Sequence, residues 1–567
     1  MFEESSRPQV WNNLRDIPTY WVDFKSGKGM LDNGQYVESR IGPRRKSSNL
    51  TDILETALAS GAERIMFTGS IPLAEQGQRH WLLVQTPGWI GLGHWMSTPV
   101  TGRFEHKNSG RRIEIRTAKE WFGNTPLNPA QARDAWIALK TMGAEAFDNT
   151  PLAQSPAGTG TNLWAASLPK NVDPVHVSED IAEEIHATSG QHHLEHLVAG
   201  PYHSQHPDCL PLVDPEKTPR MERFAYVDGR FMYASLCREI GIGPGVRMNR
   251  QQTFDLLQND PYARARVYIE FTVPDTWNHV GIFAVQHQNP RDGWYYPNRP
   301  GAKGRTWADS AEVSVAVRYG WRVDPIESVV FNTKVPSRDG SKQVNARPLD
   351  TFADRIKRAR EWVSNDEIMD PVIRAAVAAA LRAILIQTIG AFASRGRART
   401  IVTDDPKTIP AQFQGDMRRQ GKLWVYKQHQ PMNKRAHSFY HPEFAAQVWA
   451  RGRAKVLHAP MANGVTGGAL AVDPSTLLGI NGDAIYLTDL PQWALPVENG
   501  GADDGKAGRL RLQGYLEENM KVPATLEDRD RLRARSVRQG IDRAIDFFEF
   551  TAPQDDADFL PGDEEEQ

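Results

Sequence analysis

The shortages in this chain come first. Two cysteines in 567 residues, Cys209 and Cys237, cannot build a disulfide framework, so a reducing, cytoplasmic setting is expected. No uninterrupted run of about 18 apolar residues occurs. The opening Met1-Phe-Glu-Glu-Ser-Ser is no secretory signal, so a membrane is not an expected partner. Charge of one sign is also missing. With 67 Lys and Arg against 69 Asp and Glu, the formal net charge of −2 argues neither for nor against a polyanionic partner. Internal repeats are lacking. What remains is an ordinary globular composition, long enough for about two to four domains.

Local composition says more. Between Arg382 and Arg435, eleven Lys and Arg stand against three Asp, while Asp555 to Gln567 is strongly acidic. The first stretch suits nucleic-acid contact and the second a solvated tail.

Read for periodicity, residues 1–175 form one α/β unit. It holds strands Tyr20–Phe24, Arg64–Thr68 and Trp81–Gln85, a capped helix Ser48–Ala59 and a helix Pro129–Met142. Thr150–Thr161, rich in Pro, Gly and Thr, reads as a linker. Ile181–Asp214 carries His186, His192, His193, His196, His203, His206 and Cys209. Their spacing matches no common zinc site, so a polar connector is the stronger reading and a bound metal at 186–209 the weaker. Further on come a strand Ala265–Val273, a helix Glu312–Gly320 and a strand Trp321–Phe331. Helices Asp350–Val363, Asp370–Ala393, His441–Leu457 and Glu527–Phe548 complete the reading.

Two acids stand out. Asp228 follows Phe224-Ala-Tyr-Val, and Asp483 follows Leu477-Leu-Gly-Ile-Asn-Gly. Apolar residues before each suit a buried strand that delivers a carboxylate to a sheet end. A lone Asp is more often a turn or cap residue. Two that meet in space would make an oxygen-ligand site for paired Mg²⁺, with Mn²⁺ able to substitute.

In their motifs these residues resemble the family B DNA polymerases, in particular the compact protein-primed branch of phages and plasmids. Asp228-Gly-Arg-Phe-Met-Tyr233-Ala keeps the Asp and Tyr of the family's D-x-x-S-L-Y-P. Arg382-Ala-Ile-Leu-Ile-Gln387-Thr-Ile-Gly390 keeps the cation and glycine of K-x-x-x-N-S-x-Y-G, and Asn481-Gly-Asp483 keeps the second acid of D-T-D. Trp307–Phe331 and His441–Arg451 resemble the connecting stretches.

The resemblance implies an α+β fold: a right-hand polymerase with palm, fingers and thumb behind an N-terminal ribonuclease-H-like, exonuclease-type domain. Its divisions would be 1–175 for the exonuclease-like domain, 176–365 and 441–500 for the palm, and 366–440 for the fingers with a basic insertion. The thumb would take 501–550 and the acidic tail 551–567. Template-directed nucleotidyl transfer is the implied activity, with DNA template, DNA primer and dNTP as partners, a priming terminal protein as a further one, and a monomeric enzyme. Asp228 and Asp483 would be catalytic and hold both metals. Tyr233, Arg382, Arg374, Gln387 and Gly390 would line the nucleotide, with Ile386 and Ile389 against the nascent base pair. Arg395, Arg397, Arg399, Arg418, Arg419, Lys422, Lys506, Arg509 and Arg511 would contact DNA.

Departures matter too. Asn481 replaces the first acid of D-T-D. The exonuclease acids are not in place: Asp23-Phe-Lys25 puts a cation where a Glu belongs, Thr68-Gly-Ser-Ile-Pro72 lacks the next Asp, and Asp134 completes no set. Loss of proofreading is therefore expected. The alternative is a catalytically weak or inactive polymerase-derived DNA-binding replication protein. A nuclease using the same acids is the third reading. Gln554–Leu560 faintly resembles a clamp-binding peptide, with a solvated tail as the stronger reading.

Overall fold

In the computed structural model the described residues are 7–41, 48–69, 86–95, 101–123, 125–170, 173–189, 195–196, 206–288, 293–337, 339–395, 398–403, 406–415, 417–420, 423–429, 432 and 434–544. The expected strand Trp81–Gln85, His192, His193, His203, Arg397, Lys422 and the acidic tail lie outside them. The fold is α+β. It separates into two compact units, one made of residues 8–167 and 358–440, the other of 1–7, 168–357 and 441–567.

The first unit starts with a meander of β1 (Thr19–Asp23), β2 (Lys28–Leu31) and β3 (Tyr36–Glu38). Helix α1 (Leu50–Ala59) follows, opened by a reciprocal Asn49–Asp52 capping box that satisfies two otherwise unpaired amide groups. β4 (Arg64–Thr68) then returns parallel to β1. A hairpin of β5 (Trp89–Trp95) and β6 (Thr101–His106) leads into β7 (Arg112–Thr117), parallel to β4. The order β3-β2-β1-β4-β7 is the ribonuclease-H-like arrangement expected of this region. Its core is Tyr20, Val22, Ile53, Leu54, Ile65, Phe67 and Ile115. Helices α2 (Lys119–Phe122) and α3 (Pro129–Ala146) follow.

Helix α4 (Pro156–Ser167) starts midway through Thr150–Thr161, the stretch expected to be a linker, and runs past it. Its glycines and threonines have poor helix propensity, which tertiary packing overrides. Leu163 and Trp164 are fully buried, and a Cβ on Gly160 would lie 3.0 Å from the Ile384 carbonyl, inside normal contact distance.

The second unit begins with α5 (Glu179–Thr188) and β8 (Glu195–His196), then β9 (Arg220–Gly229) and α6 (Met232–Leu236). A four-stranded antiparallel sheet follows, in the order β10-β15-β11-β14. Its strands are β10 (Ile242–Met248), β11 (Ala265–Thr272), β14 (Lys303–Asp309) and β15 (Arg322–Asn332). Helices α7 (Arg250–Asn259) and α8 (Ser310–Arg318) open on capping boxes, Asn249–Gln252 and Asp309–Glu312. Small hairpins pair β12 (Val285–Gln286) with β13 (Trp294–Tyr295) and β16 (Lys334–Pro336) with β17 (Gln343–Asn345).

Helix α9 (Asp350–Asn365) carries the chain back to the first unit, where α10 (Pro371–Phe392) packs on α2, α3 and α4. Asp370 caps α10 and Pro371 stands at its first turn. By length and composition α10 is apolar enough to cross a membrane, although Arg374 and Arg382 interrupt it. In this fold Ile373, Val377, Leu381, Ile384, Leu385, Ile389 and Phe392 form a buried stripe at helical spacing. β18 (Ala398–Thr403), β19 (Arg418–Gln420) and β20 (Leu423–His429) then extend the first sheet to ten strands through β5. The short helix α11 (Lys434–Ser438) ends this part.

The last part completes the second unit. Helix α12 (Pro442–Leu457) is buried on nearly every side. Its arginines are structural: Arg451 donates to the Ala263 carbonyl (2.8 Å) and lies 3.4 Å from Asp309, while Arg453 sits 4.1 Å over the Tyr296 ring. After a small pairing of β21 (Ala459–Pro460) with β22 (Thr466–Gly467) come β23 (Leu477–Asn481), β24 (Ala484–Leu487) and β25 (Leu510–Lys521). They form the antiparallel sheet β25-β9-β24-β23-β8, on which α13 (Leu526–Ala544) packs.

Candidate functional site

Three strands build the acid pair. On β9, alternation puts Phe224, Tyr226 and Asp228 on one face, and register sets Asp228 opposite Ala484 of β24 and Arg511 of β25. Asp483 sits in the two-residue turn between β23 and β24, where Gly482 takes φ +63°, a conformation that favours glycine. The Gly229 N–H donates to the Asp483 carbonyl (3.1 Å). A Cβ on Gly229 would lie 3.2 Å from Asp483 Oδ2, so glycine lets the turn close onto the end of β9. Two acids far apart in sequence thus reach adjacent strand ends. Asp228 is 1% exposed and Asp483 is half-buried. Carboxylate oxygens are hard donors, the kind that would hold a hard divalent cation such as Mg²⁺ or Mn²⁺. Among the described residues, no group of three His, Cys, Asp or Glu could share an ion.

Around the pair, Arg230 makes a buried ion pair with Asp503 (2.7 Å), both side chains at most 3% exposed. The Arg230 N–H donates to the Arg509 carbonyl (2.7 Å), and the Gly508 N–H to the Arg230 carbonyl (2.6 Å). Residues 503–509 therefore fold back on the residue two past Asp228. Tyr233 is half-buried on α6, 3.7 Å from where a Gly452 side chain would begin on α12. Tyr486, cross-strand from Tyr226 (ring centroids 5.5 Å apart), has its hydroxyl held above the usual tyrosine range by burial, with Asp228 adding to the effect.

Two of the expected DNA contacts differ. Arg511 is 6% exposed beside Asp228 in register, which removes it from any phosphate backbone. Arg509 forks onto Asp504 (2.9 and 3.1 Å) and donates to the Pro460 carbonyl, so its donors clasp the chain itself. Lys506 is half-buried in the same segment. Sequence alone gave these cations no partners, because Asp504 and Pro460 are ordinary loop residues until the loop closes.

The remaining site residues belong to the other unit. On α10, Arg374 donates to the Asp366 carbonyl (3.1 Å), and Gln387 to the Glu120 carbonyl (3.3 Å). Arg382 is half-buried, Ile386 is exposed, and a side chain at Gly390 would meet open space. Ile389 is fully buried in the core stripe and cannot pack on a base pair as expected. Arg395 donates to the Tyr440 hydroxyl (3.2 Å). Arg399 lies on β18, and Arg418 and Arg419 are exposed on the edge strand β19.

Asp23 and Thr68 are partners in the parallel register of β1 and β4. Asp23 Oδ1 accepts from the Ser26 N–H (2.8 Å) and hydroxyl (2.7 Å), the bonds of a turn, and Asp134 pairs with Arg133 (2.7 Å) at the surface. In the histidine segment, His206 stacks on Tyr295 (3.7 Å) and burial lowers its pKa.

No family model and no curated relative matches this chain. Among solved structures it is similar to phi29 DNA polymerase complexed with primer-template DNA, with a TM-score of 0.49 and 10% identity over 88% of this chain and 85% of that one. The same polymerase complexed with primer-template DNA and incoming nucleotide substrates gives 0.48 and 10% over 89% and 85%. Complexed with single-stranded DNA it gives 0.48 and 11% over 88% and 85%.

Proposed function

We propose that this chain is a template-directed DNA polymerase without 3′–5′ proofreading, acting in the cytoplasm as a monomer and belonging to a plasmid, phage or other mobile element. One observation carries the reading: the register of β9 with β24 and the Gly229–Asp483 bond bring Asp228 and Asp483 to neighbouring strand ends. The sheet of β25, β9, β24, β23 and β8 would be the palm. A divalent ion held by the pair supplies charge neutralisation at the phosphates of a bound dNTP. Asp228 and Asp483 bind and orient it, and Tyr233 is the residue to crowd a ribose 2′-hydroxyl. Arg382 and Arg374 on α10 are the cations for triphosphate oxygens. Arg395, Arg399, Arg418 and Arg419 suit DNA phosphates, and a priming protein is a further partner. Thr68 opposite Asp23 supports the absence of proofreading.

The second reading is a weak or inactive DNA-binding replication protein. Asn481 in place of an acid and the 1% exposure of Asp228 favour it.

Incorporation of labelled dNTP on a primed template with Mg²⁺ or Mn²⁺ separates the two. The polymerase reading expects extension that is abolished in Asp228→Ala and in Asp483→Ala, with circular dichroism unchanged. Extension that survives both substitutions rules out this site. DNA binding with no extension by the unaltered chain favours the second reading.

A further inference from the structure

Between Asp228 and Tyr233 the chain leaves β9 and turns into α6 through Phe231, which takes φ +47° and ψ +38°. A bulky side chain rarely accompanies that left-handed backbone, and such strain persists only where the surroundings over-determine it. A helix of five residues is also too short to hold itself. What packs on α6 therefore sets the pose of Tyr233, and two other parts of the chain do so. Helix α12 is the first: a Gly452 side chain would begin 3.4 Å from Leu236 and 3.7 Å from Tyr233. Lys455 of the same helix pairs with Glu239 (2.8 Å), just past the end of α6. The second is the segment 503–509. Its Gly508 takes φ +84°, and a Cβ there would stand 2.5 Å from the Ser235 Oγ and 2.9 Å from the Ser235 Cβ. Glycine is what lets the segment lie directly on α6.

The segment is itself anchored. Asp503 holds Arg230 in the buried ion pair, and the Arg230 backbone exchanges hydrogen bonds with Gly508 and Arg509. Arg509 in turn clasps Asp504 and the Pro460 carbonyl. Arg230 immediately precedes the strained Phe231, and Ser235 stands two residues after Tyr233. Residues 503–509 thus grip the turn that carries Tyr233 on either side of it.

We propose that Asp503, Gly508 and Arg509 are positioning residues for nucleotide selection: through α6 they hold Tyr233 where it discriminates the sugar. The inference rests on the reading of Tyr233 as the residue that crowds a ribose 2′-hydroxyl. The ring travels with its backbone, so a displaced α6 changes the room left for that hydroxyl.

The test is primer extension by the full chain with dNTP or rNTP, read as the ratio of kcat/KM for the two. A change in DNA affinity acts on both substrates alike and cancels in that ratio. Gly508→Ala, whose methyl overlaps Ser235, should lower the ratio roughly tenfold and speed deuterium uptake by the 230–236 amides. Adding Ser235→Gly makes room for the methyl and should restore both. In a Tyr233→Ala background, itself less selective, Gly508→Ala should move the ratio no further. Arg509→Gln removes the clasp but leaves Gly508 in place; it should act in the same direction, and it decides if Gly508→Ala does not fold. A ratio that stays at the unaltered value, whatever the uptake, overturns the brace and leaves the polymerase reading standing. So does an equal fall in the Tyr233→Ala background, or a Tyr233→Ala protein as selective as the unaltered one. No incorporation by the unaltered chain overturns the polymerase reading and the brace with it.

Discussion

At the scale of single residues, burial and partner decide what each charge can do. Arg230 and Asp503 show it: removing one member takes a 2.7 Å ion pair from a charge that stays in the interior. Asp503→Asn is expected to cost about 3–5 kcal/mol, measured by denaturant unfolding, whereas Arg230→Met together with Asp503→Leu should recover most of it. A second case is Glu443, at the start of α12, fully buried beside His441 with its oxygen 2.8 Å from Nδ1. Burial pushes its carboxyl up to about 8 from the ordinary 4.5. The folded chain therefore keeps a proton that the unfolded chain has lost. Its contribution is complete below pH 4.5 and fades as pH rises through 8. Glu443→Gln should accordingly gain stability relative to the unaltered protein between pH 5 and 8. Parallel denaturation midpoints with pH would show that no such residue is held neutral there.

Elements fail or form here through close approach more than through propensity. Helix α4 exists because Gly160 lets α10 come against it, and a Cβ there would overlap Thr388. Gly160→Ala is expected to destabilise by about 1–3 kcal/mol despite improving helix propensity, with Thr388→Ala relieving part of the loss. Thermal melts check both, and a stabilised Gly160→Ala would mean that the helices are not in contact at that point. Helices α1, α3 and α8, by contrast, follow from the periodicity of their residues, while α7, which shares their kind of cap, does not. Each opens on an Asn or Asp cap whose third residue bonds back, a pattern visible in the residues alone. The strand ends were equally legible: apolar alternation into Asp228, and the Asn481-Gly482-Asp483 turn whose glycine takes positive φ.

For the whole molecule, the chain passes between two compact units, each with its own core. Unfolding is therefore expected in two resolved steps rather than one. Glu443→Gln should move one step and Gly160→Ala the other, as read by calorimetry. A single transition shifted by both substitutions would contradict this. The amino-acid sequence by itself determined the helices at α1, α3 and α8 and the two strands that deliver acids, because these depend on neighbours a few residues away. It could not say that Arg511 lies buried beside Asp228, that Arg509 is spent on Asp504, or that α13 lies over Tyr226 and Tyr486. Which partner a side chain meets is set by the folded chain, over five residues for Arg509 and Asp504 and nearly three hundred for Arg511 and Asp228.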